Sequence, residues 1–243
     1  MKKYFRYSLL ASGFWLLVIT AFAQPNTDEQ LAFQYLQNKE FDKAIIYYEK
    51  IFNKKDGIAS YNPYLLCLVK LQQYDKAEKM IKKLIKQYPQ NLTYLVDLGT
   101  LYKDKGNAEK GNSEYEKAIK QLNPDQQQII ALANEFIQLQ EWDYAISAYR
   151  HGKKLLRGFY PFNAEIADVC SKKGDIAGMV NEYLSLLELG DDQLQTVQNG
   201  LQPSFGEDKD EKKNEIIKIE LLKKIQSSPD KTVYTELLIW FFI

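Results

Sequence analysis

The sequence holds little that chemistry at a metal or a nucleophile needs. One His and two Cys occur among 243 residues. A zinc site wants several closely spaced His or Cys ligands. His151 stands alone, and Cys67 and Cys170 are remote from each other in sequence. No phosphate-binding loop, dinucleotide glycine fingerprint or Gly-x-Ser-x-Gly elbow is present. Net charge is also absent, with 32 basic residues against 32 acidic ones. That balance leaves no bulk field for a nucleic-acid backbone. Carboxylate pairs such as Asp191-Asp192 and Asp208 with Asp210 read as caps and solvated charge. Catalytic, cofactor and metal residues are therefore expected to be none.

What is present begins with an address. Lys2, Lys3 and Arg6 precede an apolar run from Leu9 to about Phe22, and Ala21-Phe22-Ala23 places small residues where a signal peptidase cuts. The run is short for a spanning helix of about 20 residues. Residues 1–23 are expected to be a signal peptide cleaved after Ala23, giving an exported, periplasmic or cell-envelope protein with no integral span. The remaining chain carries a net charge of −3.

A period of about 34 residues follows. Phe41-Asp42-Lys43-Ala44 and Tyr74-Asp75-Lys76-Ala77 nearly repeat each other, and the small position recurs at Gly111, Ala145 and Met179. Four residues on stands Tyr48, Ile81, Tyr115, Tyr149 or Tyr183. Leu31-Ala32 with Tyr35, Leu98-Gly99 with Tyr102 and Leu132-Ala133 with Phe136 mark preceding helices. Small residues let antiparallel helices approach, aromatics fill the wedge between hairpins, and spacings of three and four mark a buried helical face. A hairpin cannot bury that face alone, so hairpins stack. On this geometry Cys67 and Cys170 sit about three repeats apart and cannot bridge, since a disulfide needs Cα atoms within about 7 Å. Both thiols are expected to be free and buried. Asn91-Leu92-Thr93 is a glycosylation sequon in pattern and a helix cap in context.

These motifs resemble the tetratricopeptide repeat family. The strings Thr93-Tyr94-Leu95-Val96-Asp97-Leu98-Gly99, Tyr160-Pro161-Phe162-Asn163 and Tyr234-Thr235-Glu236-Leu237-Leu238-Ile239-Trp240 resemble exported members of the Bacteroidetes type. The expected fold is all-α, a right-handed superhelical solenoid of antiparallel helix hairpins with about six repeats and a partial seventh. Five units are read at 25–57, 58–91, 92–125, 126–159 and 160–191. An irregular sixth, 192–230, carries a charged loop at about 202–211, and 231–243 is the first helix of an incomplete seventh. The apolar end Leu237–Ile243 lacks the polar face of a capping helix, so a longer repeat protein is expected.

The resemblance implies a partner groove lined by first helices. By phase the groove residues are Asn62, Leu66 and Lys70; Val96, Thr100 and Lys103; Ile130, Asn134 and Gln138; and Asp168, Ser171 and Lys172. The expected function is a non-enzymatic interaction scaffold or adaptor of the envelope, binding a peptide or helix in that groove. The apolar C-terminal end offers a second contact. The alternative is a helical accessory domain of a longer enzyme, or an envelope-assembly or polysaccharide export factor.

Overall fold

A computed structural model describes residues 27–204 and 211–243. The predicted leader and residues 205–210 of the charged loop lie outside the described residues. Within them the protein is all-α, with thirteen α-helices, three short 3-10 turns and no strand. The described residues divide into two compact units, one up to Ala77 and one from Glu78.

The first unit contains α1 (Asp28–Gln37), α2 (Phe41–Phe52), a 3-10 turn (Gly57–Ser60), α3 (Tyr61–Lys70) and the first turn of α4 (Tyr74–Gln87). Thr27 starts α1 through a reciprocal capping box: its hydroxyl accepts from the Gln30 N–H, and the Gln30 side chain accepts from the Thr27 N–H. Ala32 and Ala44 are fully buried where α1 meets α2. Phe52 packs on Tyr64 of α3, with ring centroids 5.4 Å apart.

The second unit continues with α5 (Thr93–Asp104), α6 (Ala108–Lys120), α7 (Gln126–Gln138), α8 (Trp142–Leu155), α9 (Asn163–Lys173), α10 (Ile176–Leu187), α11 (Leu194–Leu201), α12 (Glu211–Ser227) and α13 (Thr232–Phe242). Side-chain oxygens of Asn107, Asp125 and Asp175 accept from the first N–H groups of α6, α7 and α10. Asn91 does similar work before α5, its carboxamide oxygen accepting from the Thr93 N–H at 3.3 Å and hydroxyl at 2.8 Å. One apolar core runs through this unit from Leu92 to Leu237.

The turn between the helices of each hairpin is built the same way five times. Left-handed backbone recurs at Lys39, Gln72, Gly106, Gln140 and Gly174, one every 33 or 34 residues. The following N–H reaches back to Tyr35, Leu68, Tyr102, Phe136 or Cys170, at 2.8 or 2.9 Å in every case. These bonds satisfy carbonyls that a helix end leaves open. Gly adopts the left-handed region without a Cβ penalty, whereas Lys39, Gln72 and Gln140 carry one. Replacing the exposed Gln140 by Gly is therefore expected to stabilise the protein by about 0.5–1 kcal/mol, read as a higher denaturant midpoint. Gly106→Ala is expected to act in the opposite direction, because Gly106 has open space around it and only its φ of +82° matters.

Hairpin contact distances follow residue size. A Cβ on Gly111 would lie 2.6 Å from the Gly99 carbonyl oxygen, and one on Gly99 would lie 2.5 Å from the Tyr115 ring. The two glycines thus set the close crossing of α5 and α6. Cys67 and Cys170 are both free thiols and both buried, and burial pushes the Cys67 thiol up to about 11.

Candidate functional site

On α3 the predicted surface is open. Asn62, Leu66 and Lys70 stand at i, i+4 and i+8, and all three are exposed. In the same unit Phe33 of α1 is also exposed, at 58%.

In the second unit α7 and α9 supply the clearest polar face. Asn134 and Gln138 are exposed on α7, and so are Gln127 and Ala131 on the adjoining turns. Asp168, Ser171 and Lys172 are exposed on α9. Lys172 pairs with Asp168 one helical turn away, at 2.5 Å. That pair is neutral in sum and contributes little to stability in water. Ile130 is different: it is half-buried and packs against the core.

On α5 the predicted trio is corrected. Val96 is fully buried in the core and cannot line an open surface. Thr100 is half-buried, its hydroxyl 3.0 Å from the Val96 carbonyl and 2.7 Å from the Tyr115 hydroxyl. Lys103 is an internal clasp. Its ammonium donates to Glu141 at 2.5 Å and sits 4.5 Å and 5.4 Å from the ring centroids of Tyr115 and Tyr144. A lysine stem can run along apolar surface while its head finds charge and rings at the rim. Asp104, one residue on and exposed, occupies the helical position that Gln138 and Lys172 hold on α7 and α9.

A cavity of about 330 Å³ opens at the start of α5 and α7, lined by Gln90, Asn91, Leu92, Thr93, Gln128, Ala131 and Leu132. Gln128 ties its wall together, donating to the Gln90 carbonyl at 2.9 Å and accepting from the Asn123 N–H at 2.9 Å. Sequence reasoning missed this cavity because its walls come from two separated stretches of chain.

Two polar clusters lie elsewhere in the unit. Buried Asn163 accepts from Lys153 at 3.0 Å and donates to the Glu182 carboxylate at 2.8 Å. Glu78 accepts from Lys82 at 2.7 Å, from the Tyr102 hydroxyl at 2.9 Å and from Lys105 at 3.3 Å. The Lys82 ammonium chiefly, then the Tyr102 hydroxyl and Lys105, hold its carboxyl down at about 2. A lowered folded-state pKa adds stability above the ordinary carboxylate range, which is lost as pH falls toward 2. Glu78→Gln is therefore expected to be less stable than the parent at pH 7 and to converge with it in acid, in unfolding curves taken across that range.

His151 is half-buried on α8. Among the described residues no group of three His, Cys, Asp or Glu is placed to hold a metal, and no helix is long and apolar enough to cross a membrane.

Residues 66–91 match the tetratricopeptide repeat family profile. No curated protein sequence matches the chain. Among solved structures, a tetratricopeptide repeat protein from Parabacteroides merdae is 13% identical, with 89% of this chain and 99% of that one covered, at a TM-score of 0.36. A thermophilic repeat protein of the same type from Thermus thermophilus is 18% identical, with 72% and 97% covered, at 0.37. The described helices form an all-α array of antiparallel hairpins, and residues 66–91 match the tetratricopeptide repeat.

Proposed function

We propose that this chain is a non-enzymatic protein–protein interaction scaffold of the cell envelope, which binds a peptide or helix along the exposed face of its first helices. The observation that carries the reading is the face of α7 and α9. Asn134, Gln138, Asp168, Ser171 and Lys172 stand exposed on helices whose opposite sides are locked into one core. Uncharged amides and a self-neutralised ion pair suit main-chain hydrogen bonding more than charge selection. Asn62, Leu66 and Lys70 offer an exposed face of mixed polarity on α3. Export is supported by the basic, apolar and small-residue order of residues 1–23. Ile239, Phe242 and Ile243, all exposed, supply the second contact at the apolar end.

Site-specific photocrosslinking tests this. A crosslinker at Asn134 or Asp168 is expected to capture the same discrete protein in the source cells, and one at Glu109 on α6 is expected not to. Capture of the same set from all three positions, or of none, would remove the face from consideration.

A further inference from the structure

We infer that the cavity at the start of α5 and α7 is an anchor pocket, which takes one bulky, uncharged apolar side chain of an extended peptide. The inference rests on the proposed use of the α7 face and deepens it by naming what the bound chain must carry. Leu92 and Leu132, both buried, and Ala131 give the cavity its apolar wall. None of its lining residues is charged. At about 330 Å³ it has space for a ring or a branched aliphatic side chain.

The polar atoms around the cavity are already taken. The Asn91 carboxamide oxygen accepts from the Thr93 N–H and hydroxyl. One Asp125 carboxylate oxygen accepts from the Gln127 and Gln128 N–H groups at 2.8 and 3.1 Å. These caps use N–H groups that a bound phosphate or carboxylate would need. The Asn123 carboxamide donates to the Gln90 side-chain oxygen at 3.1 Å, and Gln128 bonds both Asn123 and the Gln90 carbonyl. A small-molecule site orients its ligand through a few convergent polar groups, and here those groups bond one another. The cavity offers shape and apolar surface without an orienting handle. An apolar side chain needs none, because the chain that carries it is held elsewhere.

The second hold is on the same helix. Ala131 lines the cavity and is exposed, and Gln127, Asn134 and Gln138 share its face of α7 at helical spacing. Ala131 and Gln138 stand about 10 Å apart along the helix axis, the reach of about three residues of extended chain. An extended main chain presents free N–H and C=O groups to the Asn134 and Gln138 amides, whereas a helix has already paired its own. The anchor side chain fills the cavity while its main chain runs on over these amides.

Selection of random phage-displayed peptides on the full chain tests the pocket, followed by affinity measurements with the enriched peptides. Enriched sequences are expected to share one Phe, Trp, Leu or Ile position and to require no charge. Alanine at that peptide position is expected to weaken binding by on the order of tenfold. Ala131→Phe fills the cavity from an exposed position and is expected to cost a similar factor, with the thermal midpoint unchanged. Against the alanine-substituted peptide the same variant is expected to cost little, because both changes remove one contact. Loss of affinity in Asn134→Ala with Gln138→Ala but not in Ala131→Phe overturns the pocket and leaves the face standing. Dependence on a charged residue or a free carboxylate, or binding of indole alone as tight as the peptide's, also overturns the pocket. Enrichment of no sequence, or of sequences indifferent to all three substitutions, overturns pocket and face together.

Discussion

Replacing Phe136 with Ala is expected to lower stability by about 3–5 kcal/mol, the range for removing a fully buried ring. Phe136 is completely enclosed on α7. Its ring meets Tyr115 of α6 edge-on at 5.1 Å and stacks on Tyr144 of α8 at 5.5 Å, while Tyr115 and Tyr144 meet each other at 5.0 Å. Three rings from three helices therefore share one contact, and deletion of the central ring leaves a hole the other two cannot close. In a stacked-hairpin protein the loss falls on the interface between neighbours. Hydrogen exchange is expected to accelerate in α5–α8 before α9–α13. Phe33→Ala serves as the comparison: that ring is 58% exposed, and its removal is expected to change stability by no more than about 0.5 kcal/mol.

The second large effect is expected at Gly111. Valine there meets the Gly99 carbonyl oxygen and the Lys103 stem, each 2.6 Å from the Cβ position. Backbone cannot rotate aside as a side chain can, so α5 and α6 must separate. The expected destabilisation is on the order of 3 kcal/mol, at the upper end for overpacking. Alanine would gain about 1 kcal/mol of helix propensity and still meet the carbonyl, so Gly111→Ala is expected to destabilise by less. The following hairpin has Ala133 and Ala145 at the corresponding places, both fully buried, which requires a wider crossing. A rise in the denaturant midpoint for either Gly111 variant would show that the crossing is not set by these glycines.

The repeat was legible because hairpin packing writes itself into spacing. Small residues at Gly99 and Gly111 and rings at Tyr115 and Phe136 are demanded by contact, and contact recurs with the hairpin. The turns were legible only where Gly106 and Gly174 stand; the same geometry at Lys39, Gln72 and Gln140 has no residue signature, because the hydrogen bonds that hold it are made by backbone alone. On α3 every chosen residue is exposed, whereas on α5 Val96 is buried and Thr100 and Lys103 are half-buried. One residue along a helix is a rotation of about 100°, enough to turn Asp104 outward and Lys103 inward. The polarity of Lys103 pointed to solvent, yet Glu141, Tyr115 and Tyr144 form a partly buried seat for it. Asn163 was equally hidden from sequence reasoning, since its partners Lys153 and Glu182 come from different helices.

The exposed amide face of α7 and α9 is proposed to bind a protein partner. The most direct measurement is the affinity of the crosslinked partner for the parent chain and for Asn134→Ala with Gln138→Ala. Both side chains are exposed, so the thermal midpoint is expected to stay unchanged. Affinity is expected to fall by on the order of tenfold, the loss of a few interfacial hydrogen bonds. Unchanged affinity in a fully folded variant would contradict it and move the binding surface off these helices.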